Sequence, residues 1–72
     1  MKDYQKRVLD ERTELAAKID KLKAFVTTDT FIEMDAYEKY LLTQQLVAMT
    51  DYQILLGMRI MKWATNNFTI DS

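Results

Sequence analysis

The sequence DAYEKYLLTQQLVAMTDYQILLGMRIMKW, residues 35–63, contains no proline and carries apolar side chains at helical spacing throughout. Asp35 is suited to accept hydrogen bonds from the first free amides, and Glu38 stands three residues later, as in the acidic form of a capping box. A helix of this length extends roughly 44 Å at about 1.5 Å per residue, more than the width of a small globule. The stretch therefore predicts one long helix that a single small chain cannot surround.

Two faces of this predicted helix carry apolar side chains. One face carries Leu42, Leu46, Met49, Leu56, Ile60 and Trp63, and the other carries Tyr37, Leu41, Ala48, Tyr52 and Leu55. One packing helix covers only one such face, so the other is most simply explained by a second chain. We therefore expect a homo-oligomer.

The residues before Asp35 predict a shorter helix, from about residue 3 to about residue 26. Apolar side chains recur there at helical spacing, at Val8, Leu15, Ile19, Leu22 and Val26. Asp3 is the expected N-cap. Arg12 interrupts the apolar stripe between Val8 and Leu15.

Weaker signals connect and end the two helices. Residues 27–29 favour a turn, and the apolar residues Phe31, Ile32 and Met34 indicate a short helical turn over about 29–34 that plugs the junction. Beyond Trp63 the period is lost, and Asn66 or Asn67 is suited to end the helix, which leaves 65–72 as a tail. We predict an all-α fold in a single helical domain, residues 1–72. In it, helices of about 3–26 and about 36–64 form an antiparallel hairpin that assembles into a homo-oligomer.

The composition excludes several classes of function. The chain has no cysteine and no histidine, and its serine is Ser72, so disulfides, ordinary zinc sites and the usual catalytic bases and nucleophiles are missing. A net charge of −1 makes general DNA or RNA binding a poor expectation. No apolar run is long enough to span a membrane, and the first residues lack the apolar core of a signal peptide. We expect a cytoplasmic protein that is not an enzyme and holds no metal or cofactor.

A few residues remain candidates for binding. Tyr4, at the start of the first helix, suits either packing or stacking on a ligand. Lys18 and Lys21 stand late in that helix, where the helix dipole alone explains cations. Gly57 is the only glycine and lies deep in the long helix with Arg59 beside it, so either a backbone crosses there or a ligand lies against it.

Two stretches carry a family resemblance. DYQKRVLDERTELAAKIDKLKAFV, residues 3–26, and LLTQQLVAMTDYQILLGMRI, residues 41–60, resemble the phage anti-CBASS cyclic-oligonucleotide sponge family (anti-CBASS protein 2) and related small phage proteins. The shared order is YQ-x-RV, then E-L-x-x-K-I-x-K-L, then Q-x-x-x-M-x-x-Y-x-x-L-x-G-x-R-I. The resemblance includes both main helices.

The resemblance implies a fold, a ligand class and a set of contacts. Proteins of that family are small helical hexamers, trimers of dimers, that bind cyclic di- and trinucleotides in the host cytoplasm without cleaving them, so that a host effector stays inactive. Tyr4 matches the tyrosine that stacks on a base. Lys18 or Lys21 matches the lysine that contacts the cyclic dinucleotide. Arg59, beside Gly57 in the G-x-R motif, matches the arginine of a separate trinucleotide site.

A helical protein-interaction or assembly module is the alternative hypothesis. It has the same surplus of apolar surface and binds no nucleotide. Met49, Met58 and Met61 suit an adaptable protein interface. Such a module would show no thermal shift with any cyclic nucleotide.

Overall fold

The computed structural model describes the backbone of residues 2–69 and the side chains of residues 2–64. Within that range the chain forms three helices and no strand: α1 spans Asp3–Phe25, α2 spans Asp29–Glu33 and α3 spans Ala36–Thr69. The prediction of an all-α fold with a long C-terminal helix is confirmed. At about 1.5 Å per residue, α3 alone is roughly 50 Å long.

The two long helices begin in different ways. Asp35 caps α3 as predicted, because its Oδ1 atom accepts a hydrogen bond from the Glu38 amide at 2.9 Å. The prediction that Asp3 caps α1 is wrong. The N-cap of α1 is Lys2, whose backbone N–H donates to Gln5 Oε1 at 3.1 Å. Asp3 instead lies in the first turn, where its charge complements the positive end of the helix dipole.

The C-terminal end of α3 differs from the expected one. The helix continues to Thr69, five residues past the predicted end at residue 64, so residues 65–69 are helical and not part of a tail. Threonine and asparagine are only mildly unfavourable in helices, by at most about 0.7 kcal/mol each, and no proline or glycine follows Gly57. The rest of the expected tail, residues 70–72, lies outside the described residues.

Helix α1 runs antiparallel to α3, so that Tyr4 meets Trp63 at one end and Lys21 meets Gln45 and Met49 towards the other. Leu56 of α3 is completely buried, and Val8 and Ile19 of α1 are buried as well. The α3 face that α1 covers is therefore the predicted face of Leu42, Leu46, Met49, Leu56, Ile60 and Trp63, whose side chains are buried or half-buried.

The second predicted face of α3 remains exposed in the single chain. It comprises Tyr37, Leu41, Ala48, Tyr52 and Leu55, and the exposed apolar surface continues over Val47, Ile54, Met58 and Met61. We call these nine residues the open face of α3. The hairpin is extended, 57 × 17 × 16 Å, with a radius of gyration of 16.7 Å. A compact domain of this length would have about 11 Å, so the chain alone does not enclose its apolar residues.

The connection between the two long helices is partly packed. Thr28 caps α2 by accepting a hydrogen bond from the Phe31 amide, and the Phe31 ring meets Phe25 edge to face at 6.1 Å. Ile32 is 62% exposed. Phe31 therefore plugs the junction as expected, whereas Ile32 does not.

Candidate functional site

The side chains of Lys18 and Lys21 line the same groove between α1 and α3. The two residues are three apart on α1 and therefore share one face of the helix. The groove has a volume of about 340 Å³ and is completed by Leu22, Gln45 and Met49. We call it the lysine groove. The sequence left open which lysine is the better ligand-binding candidate, and the structure places both at one site.

The lysine groove combines positive charge with an apolar floor. Lys18 and Lys21 line the groove together with the apolar side chains of Leu22 and Met49, and the Gln45 amide nitrogen lies 3.8 Å from the Met49 sulfur. Ammonium groups bind phosphate oxygens as point charges, and an apolar floor accepts the flat face of a base. Sequence reasoning missed Gln45, because its place opposite Lys18 and Lys21 depends on the register of the two helices.

Tyr4 lies far from this groove within one chain. Its ring meets Trp63 edge to face, with the ring centroids 5.5 Å apart, and remains 46% exposed. Both roles considered for Tyr4 are thus open to it, because one edge packs and the rest of the ring is accessible. Tyr4 and Lys18 are separated along α1 by about 21 Å, at about 1.5 Å per residue. A cyclic dinucleotide is too small to contact both in one protomer.

Gly57 faces a side chain and not a crossing backbone. A Cβ atom at Gly57 would lie 3.2 Å from Nη2 of Arg12 and 3.5 Å from its Cζ. The guanidinium of Arg12 therefore occupies the space that the glycine leaves, and this explains how the apolar stripe of α1 tolerates an arginine. Neither alternative that the sequence suggested for Gly57 included this contact.

Arg59 stands near a polar link between the long helices. The Tyr52 hydroxyl donates a hydrogen bond to Glu11 Oε1 at 2.5 Å. This hydrogen bond raises the pKa of Tyr52, loss of surrounding water and the negative charge of Glu11 act in the same direction, and the positive charge of Arg59 lowers it. Arg59 is about 15 Å along α3 from Met49, at about 1.5 Å per residue, so it belongs to a region separate from the lysine groove.

The described residues contain neither a metal-binding cluster nor a membrane-spanning helix. They include no group of three or more acidic, histidine or cysteine side chains placed to hold a metal ion. None of the helices in the described part of the chain is long and apolar enough to cross a membrane.

Comparison with known proteins places the chain in a family. A protein of Enterobacteria phage T4, named as an uncharacterized 7.5 kDa protein in the denB-rIIB intergenic region, is 37% identical over 57 residues, which cover 79% of this chain and 89% of the phage protein. No solved structure matches the chain significantly. The family model named Sequestin matches residues 2–62, which include α1, α2 and most of α3. With most of its length matched by that model, the chain belongs to the Sequestin family.

Proposed function

We propose that this chain is a phage immune-evasion protein that binds and sequesters cyclic di- and trinucleotides without cleaving them, and so blocks CBASS-type anti-phage signalling. The observation that carries the proposal is the lysine groove, which two lysines and two apolar side chains line together. The T4 relative supports a phage protein, the family name supports sequestration, and the resemblance to the anti-CBASS sponges supports the class of ligand.

The chemistry of the groove fits half of a cyclic dinucleotide. Lys18 and Lys21 neutralise a phosphodiester, while Leu22 and Met49 receive part of a base or ribose. The volume of about 340 Å³ is near the lower end of small-molecule sites, so the groove takes part of the ligand and leaves the rest outside. A local site of this kind needs no basic surface over the whole protein, and the net charge of −1 does not oppose it.

The remainder of the dinucleotide site comes from a second chain. Tyr4 and Lys18 are too far apart to share a ligand within one protomer, so Tyr4 of one protomer stacks on a base held in the lysine groove of its partner. A two-fold dimer supplies two such pairs to a ligand with two phosphates and two bases. The open face of α3 provides the apolar surface for assembly, and we propose a hexamer built as a trimer of dimers. Arg59 serves a separate trinucleotide site.

The ligand is held and not degraded. Sequestration requires binding strong enough to compete with the host effector, on the order of nanomolar or about −12 kcal/mol. The residues assigned to the sites are tyrosine, lysine and arginine, which bind and orient a phosphodiester. We assign no residue to its hydrolysis.

Calorimetric titration with a panel of cyclic di- and trinucleotides tests this function, followed by recovery of the ligand after proteolysis. We expect tight binding of a cyclic dinucleotide, one ligand per two chains, and intact ligand on release. Lys18→Ala and Lys21→Ala are expected to weaken binding at least tenfold. Lys23→Ala is the matched control, because Lys23 is an exposed lysine of the same helix that does not line the groove.

Tyr4→Ala is expected to weaken cyclic dinucleotide binding by about 1–3 kcal/mol of lost stacking. Circular dichroism shows whether each variant is folded. Unchanged affinity in folded Lys18→Ala, Lys21→Ala and Tyr4→Ala proteins would contradict the site, and cleaved ligand would contradict sequestration.

A second candidate function is a helical interaction module without a nucleotide ligand. The observation that favours it is the open face of α3, where Met58 is 60% and Met61 68% exposed. Thermal-shift measurements separate the two functions. A folded oligomer that no cyclic nucleotide stabilises would support the interaction module over the sponge.

A further inference from the structure

Two residues that are each unusual where they stand lie against each other. Arg12 is an exposed cation that interrupts the apolar stripe of α1, and Gly57 is the only glycine of the chain, placed inside a helix of 34 residues. A glycine destabilises a helix interior relative to alanine, and here it lies beside a cation at the edge of the apolar seam. The contact between Arg12 and Gly57 therefore points to a role beyond the packing of α1 on α3.

The absence of a side chain at Gly57 leaves the space in which the Arg12 guanidinium lies. From the position of a Cβ on Gly57, the Nη2, Cζ and Nε atoms of Arg12 are 3.2, 3.5 and 3.6 Å away. These similar distances mean that the guanidinium turns its flat face to α3. Its N–H donors point outward in the plane of the group, and none of the side-chain hydrogen bonds among residues 2–64 uses them.

Arg12 borders a groove of about 290 Å³, which we call the arginine groove. It is lined by Leu9, Arg12, Thr13, Ala16 and Gln53. Within the described structure, Oε1 of Gln53, one of these lining residues, is buried without a hydrogen-bond partner. The Thr13 hydroxyl donates to the Leu9 carbonyl at 3.1 Å, so its oxygen is left as an acceptor. An unpaired buried acceptor is costly, and a ligand that brings a donor removes that cost.

We infer that the arginine groove is a second binding site, complete within each protomer, for a ligand the size of a single nucleotide. Arg12 binds the phosphate, since a planar guanidinium donates two parallel hydrogen bonds to phosphate oxygens. Rotation of the Gln53 amide towards the groove lets its Oε1 accept from an N–H or O–H of the same ligand, while Leu9 and Ala16 contact its apolar part. Gly57 is a positioning residue, because it leaves the space in which the guanidinium lies.

This site differs from the lysine groove in its stoichiometry. It is formed by α1 and α3 of the same chain and therefore takes one ligand per chain, whereas a site on a two-fold axis takes one per two chains. It does not rest on the sequestration of cyclic nucleotides.

The test is a nuclear magnetic resonance titration of the full ¹⁵N-labelled chain with 5′-AMP, 5′-GMP, adenosine and inorganic phosphate. The observed signals are the Arg12 Nε–H and the Gln53 side-chain amide. We expect at least one mononucleotide to shift both signals and to saturate at one ligand per chain. Inorganic phosphate is expected to shift Arg12 alone and more weakly, and adenosine to shift neither at the same concentration.

Matched variants make the assignment specific. Arg12→Gln is expected to weaken mononucleotide binding at least tenfold. Arg7→Gln removes the same charge from an exposed position of α1 and is expected to leave binding unchanged. Gly57→Ala brings a Cβ to 3.2 Å from Nη2, so the guanidinium must shift. Mononucleotide affinity should then fall, while the melting temperature holds or rises because alanine suits the helix better.

Three results would overturn the inference. One is the absence of shifts at Gln53 with both mononucleotides at millimolar concentration, which would mean that only water fills the groove. Another is equal weakening by Arg7→Gln and Arg12→Gln, which would mean nonspecific attraction of anions. The third is unchanged affinity in Gly57→Ala. Cyclic dinucleotide binding is measured separately in the wild-type protein, and its failure there would count against the proposed function alone.

Discussion

The hydroxyl of Tyr52 makes a polar link between the long helices, by donating to Glu11 across the seam. The side chain is 41% exposed, so water screens the interaction, yet the hydrogen bond to Glu11 raises the pKa of the phenol. The raised pKa means that folding favours the protonated tyrosine. This single contact therefore gives the hairpin a defined response to alkaline pH.

We predict that the wild-type protein loses stability relative to Tyr52→Phe as the pH is raised. The folded pKa lies above the unfolded value of 10.0, so the contribution of the hydrogen bond is complete below about pH 10 and is lost as the pH rises through the folded pKa. Urea denaturation of both proteins between about pH 8 and about pH 11.5 measures the difference. Lysine titration affects both proteins alike, and parallel stability curves would contradict the prediction.

At the scale of elements, the side chain that supplies the capping hydrogen bond decided which helix start the sequence could predict. The start of α3 was predictable because an aspartate cap acts locally through its own hydrogen bond, as Asp35 does. The start of α1 was not, because Gln5 supplies the bond from inside the helix.

Both faces of α3 are apolar, so composition could not tell which one α1 covers. The pairings of Arg12 with Gly57, and of the two lysines with Gln45, depend on the register between helices, which a single sequence does not encode locally.

Two adjacent leucines test the assignment of the faces of α3. Leu56 is 0% and Leu55 56% exposed. We predict that Leu56→Ala lowers the free energy of unfolding by about 2–5 kcal/mol at every protein concentration, because it leaves a cavity at the centre of the hairpin. Leu55→Ala removes the same atoms from the open face, so any loss should depend on protein concentration. Thermal denaturation over a hundredfold range of concentration distinguishes the two, and equal losses independent of concentration would contradict this assignment.

At the scale of the whole molecule, the hairpin has more apolar surface than it can bury. Its radius of gyration is 16.7 Å against about 11 Å for a compact chain of this length, and the buried apolar residues among those described are Val8, Ile19 and Leu56. The chain has no cysteine for a disulfide, and oligomerisation is one of the usual ways in which so small a domain gains stability. The open face of α3 is the surface on which the proposed assembly depends.

We predict that Leu55→Asp prevents the proposed assembly and abolishes the proposed cyclic dinucleotide binding, although Tyr4, Lys18 and Lys21 are unchanged. A carboxylate on the open face must be desolvated for the chains to associate, and the proposed site needs residues from two chains. Sedimentation velocity and calorimetry measure the two effects. Lys62→Asp, which also introduces an acid at an exposed position of α3, is the control. A Leu55→Asp protein that stays oligomeric, or one that binds as a monomer, would contradict the two-chain site.

Among the residues whose side chains are described, the hairpin buries three apolar residues, and this bears on when the protein can act during its synthesis. In the proposed oligomer, folding and association are linked by mass action, so the apparent stability of each chain grows with the number of chains already made. Newly made copies at low abundance are then mostly unfolded and open to proteolysis. Protection begins only once the copy number passes the association threshold. A mutation that weakens the interface would therefore delay the onset of activity before it lowered the final level.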